Sequence, residues 1–249
     1  MPANVIARPF VRVERAASIL GVVCVFAAIV IIWVARASLT RDVYVSEMGA
    51  PGMPTARWFQ VSLVLVVIGD ALIAYVGRGL RSTLRLWTPA ISLWIASGFF
   101  LIASQVTCTM GCPLPYGASF NWQDFTHTLM AVLAFAAACW AMLQTGFAHS
   151  NRGLALISRA CAVAVAVIAG TGGIFSLLRF NLDFGSRLEL LATTVALAWL
   201  AVLGIVLALQ LARTITAVDV LVAEIEETIV LGAATATSAA ADADGPARG

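Results

Sequence analysis

Six apolar runs, each close to the ~20 residues that a helix needs to cross a hydrocarbon core, alternate with short polar intervals along the chain. They cover Ala16 to Ala35, Trp58 to Val76, Trp87 to Val106, Phe125 to Phe147, Leu154 to Leu178 and Leu188 to Leu211. This pattern predicts an all-α, polytopic membrane protein: a six-transmembrane-helix bundle over residues 16–213, preceded by a cytoplasmic segment, 1–15. The first run is longer than the roughly 7 to 15 residues of a signal peptide's apolar core. It is therefore read as a retained helix, although Ala35-Arg36-Ala37 resembles a cleavage site. Beyond the sixth run, Ile215, Val218, Val222, Ile225 and Ile229 keep helical spacing, with Asp219, Glu224, Glu226 and Glu227 between them. An acidic helix is a poor ligand for an anionic leaflet. Residues 214–231 are therefore expected to pack as a cytoplasmic amphipathic helix on the bundle, a second copy or another membrane partner. Residues 232–249 are low in complexity and free of aromatic residues, and predict a disordered tail.

Composition strengthens the membrane reading. The chain is 61% hydrophobic and 11% charged, against roughly a quarter charged in a soluble domain. A formal charge of +2, spread over several loops, argues against a nucleic-acid partner. All fifteen basic residues are arginine, and with the abundant alanine this fits a GC-rich bacterial genome, hence a bacterial plasma membrane with membrane lipids as surroundings and partners. Arg8, Arg12, Arg15, Arg78, Arg81, Arg85, Arg152, Arg159 and Arg213 fall on one side, and Arg36, Arg41, Arg57, Arg179 and Arg187 on the other. The richer side is expected to be cytoplasmic, with both termini there. The loops from Arg36 to Arg57, Thr107 to Asp124 and Arg179 to Arg187 then face outward. In the fifth run, Ala162, Ala166 and Gly170 recur every fourth residue, a spacing that lets helices approach closely and predicts a central position. The Gly170 to Gly173 cluster could instead mark a local unwinding.

Candidate chemistry concentrates between Cys108 and Thr128. Cys108 and Cys112 lie in a polar loop that faces the oxidising side in this orientation, so a disulfide is expected. A zinc site using both with Asp124 and His127 has suitable ligand types, but thiols outside the cytoplasm oxidise first, and no metal or cofactor is expected. Cys24, Cys139 and Cys161 sit in apolar runs as small hydrophobes. Asn121, Asp124 and His127, spaced by three, share a face of the fourth helix's first turns. Asn121 and Asp124 fit a capping box, and equally a carboxylate that orients His127 for general acid–base work or a proton relay. His127 fits that catalytic role or a satisfied bundle histidine. Tyr44, Ser46 and Glu47 precede the turn-rich GAPGMP, which can fold over the bundle mouth. Glu47 is then a partner for an arginine or for His127, or a solvated loop carboxylate. Arg36, Arg57, Arg179 and Arg187, with Glu189 and Asp183 nearby, fit either a ring for an anionic head group or interfacial anchors paired with those acids. Asp70 is the acid deep within a span. Such a residue is by default a functional hypothesis, here a coupling carboxylate or a partner of Arg78 or of a backbone group.

YVSEMGAPGMPTARWF, and WQDFTH opening a later helix, resemble the bacterial six-span membrane family catalogued as domain of unknown function 998. More distantly, they are similar to the eukaryotic superfamily that includes the autophagy modulator DRAM and the GPI-anchor lipid remodelling proteins. Tyr44, Ser46, Glu47 and Gly49, with Asp124 and His127, carry the likeness, and Glu47 stands where the eukaryotic pattern has Asp. The resemblance covers about residues 13–213 and implies a fold with no established activity. No Walker loop, dinucleotide fingerprint, HExxH or Gly-x-Ser-x-Gly elbow is present, which excludes the common soluble enzyme classes. Three readings follow. The first is a protein that binds a lipid head group or small ligand in an outward cavity lined by Glu47, Tyr44, Asp124, His127 and the arginines. The second is a membrane hydrolase or acyltransferase using Asp124 and His127. The third is a proton-coupled transporter using Asp70.

Overall fold

The computed structural model describes residues 3–84, 86–113, 120–148 and 151–243; for 3–9, 226–227 and 229–243 it describes the backbone alone. Arg85 and His149 lie outside the described residues. The chain forms α1 (Ala3–Ala37), α2 (Ala56–Val76), α3 (Pro89–Gln105), α4 (Trp122–Gly146), α5 (Arg152–Leu177) and α6 (Leu182–Ala243), with no strand among the described residues. Five of these helices are long and apolar enough to span a membrane, and α3 is a shorter apolar helix. The protein is a multi-pass membrane protein. α1 extends back past the expected span to Ala3, and α6 runs unbroken through residues 214–231 and on to Ala243.

Neighbouring helices pack in chain order, α1 on α2 through to α5 on α6, and α6 closes the ring against α1. The closest approaches involve glycine. A Cβ on Gly69 would meet the Gly21 carbonyl oxygen at 2.8 Å, and one on Gly204 would meet Val22 Cγ2 at 2.6 Å. These contacts bring α1, α2 and α6 together by van der Waals packing, the main source of helix association in lipid.

The expected central position of α5 is corrected by this arrangement. Its packing partners are α4 and α6, and it buries 17% of its apolar window, against 44% for α2. Ala162 is buried, but Ala166 and Gly170 are exposed, because α5 presents only one edge to its neighbours. The helix continues through Gly170, Thr171, Gly172 and Gly173 without unwinding.

The two ends of the bundle differ. At one end, Glu14 pairs with Arg78 and the Ser18 hydroxyl donates to the Gly204 carbonyl at 2.8 Å. Here too Gln144, near the end of α4, accepts from Ser92 at 2.6 Å and donates to the Trp87 carbonyl at 2.6 Å. At the other end, the segment between α1 and α2 folds over the bundle as a cap. Its Val43, Val45, Met48 and Ala50 are buried, and a 3-10 turn, Ser46–Gly49, sets Glu47 beneath it.

Candidate functional site

The cap is held by charge and by main-chain bonds. Asp42 receives Arg36 and, at 2.7 Å, Arg187 Nε. Buried Glu47 accepts from Arg41 at 2.6 Å. Glu189, on the second turn of α6, accepts from the amides of Val45 at 2.8 Å and Ser46 at 3.4 Å. The loop after α3 completes the seal. Cys108 and Cys112 are joined by a disulfide with Cα atoms 5.4 Å apart, and both sulfurs contact Ser46. With both cysteines bonded to each other, their thiolates are withdrawn from the zinc alternative. No three His, Cys, Asp or Glu among the described residues are placed to hold a metal. Arg179 Nη2 donates to the Cys112 carbonyl at 3.0 Å, while Arg57 is exposed. Arg36 and Arg187 therefore converge on Asp42, and the four expected head-group arginines do not form one ring.

Tyr44 packs its ring against Gly185, where a Cβ would come within 2.5 Å of the hydroxyl. That oxygen is buried. Ser176 lies beside it, but the geometry falls short of a hydrogen bond. Burial pushes the Tyr44 hydroxyl above its usual range; Ser176 opposes the shift, Glu189 adds to it and Arg179 opposes it.

Asp124 and His127 stand one turn apart at the start of α4 with separate partners. Asn121 caps the helix, its carbonyl oxygen accepting from the Asp124 amide at 2.8 Å. The Asp124 carboxylate accepts from the Thr109 amide at 2.6 Å, the Thr109 hydroxyl at 2.8 Å and the Asn121 side-chain amide. Its oxygens are occupied in tying the disulfide loop to the helix start. His127 Nδ1 lies 2.6 Å from the Val106 carbonyl and 3.2 Å from that of Ala103. Both are acceptors, so Nδ1 carries the proton and donates. Nε2 is buried without a partner. The Asp124 to His127 hydrogen bond considered from the sequence is absent, because the carbonyls left open at the end of α3 claim the imidazole first.

His127 and Glu189 meet at a cavity of about 60 Å³ inside the ring. It is walled by Phe59, Phe100 and Phe135 and floored by Val66, Thr193 and Leu197, with Val45 and Ser46 of the cap above. Neither Glu47 nor any outer arginine lines it. A second cavity of about 40 Å³ adjoins it through shared Val66, Phe100, Phe135, Thr193 and Leu197. That space is lined by Asp70, one of whose carboxylate oxygens accepts from Ser97 at 2.7 Å while the other has no partner. Arg78, the alternative partner for Asp70, is engaged by Glu14.

A family model matches residues 19–206, described as "Protein of unknown function (DUF998)". The chain belongs to the DUF998 family. The match covers all six helices from within α1 into α6, so the ring, the cap and both cavities lie within the family's extent. No curated protein and no solved structure matches the chain. For this DUF998 chain, the phenylalanines of the cavity wall had no individual signal in the sequence, and the expected arginine partner of Glu47 could not be narrowed to Arg41. Phenylalanine is unremarkable in an apolar run, and loop contacts have no periodicity to betray them.

Proposed function

We propose that this DUF998 protein crosses the membrane six times with both termini cytoplasmic, and binds a lipid head group or small ligand in the cavity between His127 and Glu189. For the sixth crossing, α3 is about 26 Å long at 1.5 Å per residue, within the range of short spans. His127 joins the start of α4 to the end of α3, and Gln144 joins the end of α4 to the start of α3. This supports equal depth for the two helices. The arginine-rich end, with Arg78, Arg81, Arg152 and Arg159, supports a cytoplasmic assignment by charge bias, and a bacterial plasma membrane is the proposed location.

The observation that carries the binding reading is the unpartnered Nε2 of His127 at the cavity. Buried polar atoms are nearly always paired, and an exception at a cavity is accounted for by something that enters it. Native mass spectrometry of the purified protein tests this. A defined lipid or small ligand is expected to co-purify and to be lost from His127→Ala; a wild-type protein that carries none would sink the reading. A second reading, proton-coupled transport, is favoured by the open oxygen of Asp70 in the adjoining cavity. It requires uptake that depends on a proton gradient and disappears in Asp70→Asn.

A further inference from the structure

The hydrogen-bonding capacity left uncommitted around the larger cavity is of one sign, because the Thr193 hydroxyl donates to the Glu189 backbone carbonyl at 2.8 Å and the Ser46 hydroxyl is engaged by the Glu189 carboxylate. His127 commits its Nδ1 proton to the carbonyls of Val106 and Ala103, which in the neutral ring leaves Nε2 as a lone pair. Glu189 is a carboxylate whose donors are the amides of Val45 and Ser46 and the Ser46 hydroxyl, leaving acceptor capacity on its oxygens. Among the described residues no cation comes within ion-pair distance of Glu189, since Arg36, Arg41 and Arg187 are taken by Asp42 and Glu47. Between these acceptors stand the rings of Phe59, Phe100 and Phe135, the last two edge to face with centroids 5.8 Å apart. Aromatic faces attract cations, most strongly where water is excluded. Phe59 reaches this position because Gly49 in the cap leaves room; a Cβ there would sit 2.6 Å from the ring.

An anion would meet a carboxylate, a lone pair and the rings of three phenylalanines, with no arginine lining the space. A donor-bearing cation would meet complementary groups throughout. We propose that the cavity is a binding site for a protonated primary amine, its N–H groups donating to Glu189 and His127 Nε2 and its charge facing the phenylalanine rings. This deepens the ligand-binding reading and rests on it. The size agrees: about 60 Å³ is several times the roughly 10–15 Å³ minimum that admits one water-sized group, room for a small aminomethyl or aminoethyl end. Either a free amine or the terminal ammonium of an aminophospholipid supplies this chemistry.

Titration calorimetry of the full-length protein in nanodiscs of phosphatidylcholine separates the cases. Methylammonium is expected to bind saturably, tetramethylammonium at least tenfold more weakly because it has no N–H to donate, and inorganic phosphate not at all. Glu189→Gln and His127→Ala, checked as monodisperse, are each expected to weaken methylammonium about tenfold or more. Should a variant misfold, competition between the two ammonium ions on wild-type protein still decides. Nanodiscs containing phosphatidylethanolamine identify the source: competition with methylammonium supports a lipid ammonium, and its absence beside intact methylammonium binding supports a free amine. If tetramethylammonium binds equally well, if phosphate binds, or if the co-purifying ligand lacks an amine, the amine assignment is overturned while the ligand cavity stands. If methylammonium fails and nothing co-purifies, both fall.

Discussion

The two ends of this bundle use similar means to different effect. At the Gln144 end, Trp87 Nε1 donates to Ser92 at 2.7 Å, Ser92 to Gln144, and Gln144 back to the Trp87 carbonyl. The circuit closes on itself, and it serves to lock α3 against α4. At the His127 end, the same pair of helices is tied by one imidazole nitrogen, and the other nitrogen is left at a cavity. A closed network supports structure alone; an open one retains binding capacity, at a cost in stability that a ligand can offset.

Substitutions can break this contrast in graded ways. The largest loss of stability is expected for Asp124→Ala, which removes the acceptor for the part-buried Thr109 amide and hydroxyl and for the Asn121 side-chain amide. About 2–3 kcal/mol is expected from the donors it orphans, read as a lower midpoint in thermal unfolding of the solubilised protein. Gln144→Leu follows, at about 1–2 kcal/mol for two interhelical bonds in lipid, with ligand binding unchanged; altered binding would show that the closed network is not purely structural. His127→Ala is expected to cost about 1 kcal/mol or less in stability while abolishing co-purification of the ligand. Equal effects of His127→Ala and Gln144→Leu on binding would erase the difference between the ends. The smallest effect belongs to Tyr44→Phe. The folded-state Tyr44 pKa lies above its unfolded value of 10.0, so its contribution is fully present below about pH 10 and is lost as pH rises through the folded value. Tyr44→Phe should match the wild type at neutral pH and fall less steeply in alkaline unfolding.

Local features of the site were legible and non-local ones were not. Asn121 and Asp124 could be read as a cap because both ends of that interaction lie within one helical turn. The same proximity misled about His127. Three residues separate it from Asp124, yet its partners are carbonyls 21 and 24 residues away on the neighbouring helix. Glu189 looked like one more interfacial acid, and its amide partners in the cap lie 143 and 144 residues distant. The small-residue stripe of α5 has the correct spacing for close packing, but spacing cannot say which helix is opposite, and the close contacts fall instead at Gly21, Gly69 and Gly204.

By itself, the sequence determined that this protein is all-helical and multi-pass, where the apolar part of each helix lies though not how far α1 and α6 extend, and that it resembles the DUF998 family. Those properties depend on hydropathy over one span and on contacts within one turn, both of which are written in consecutive residues. The tertiary structure decided that Arg36, Arg41, Arg179 and Arg187 are consumed by Asp42, Glu47 and loop carbonyls, that Asp124 works as a clasp, and that His127 and Glu189 line one phenylalanine-walled space. Hydrogen-bonding capacity is finite, and which groups remain unspent is known only once every competing partner has been brought into place.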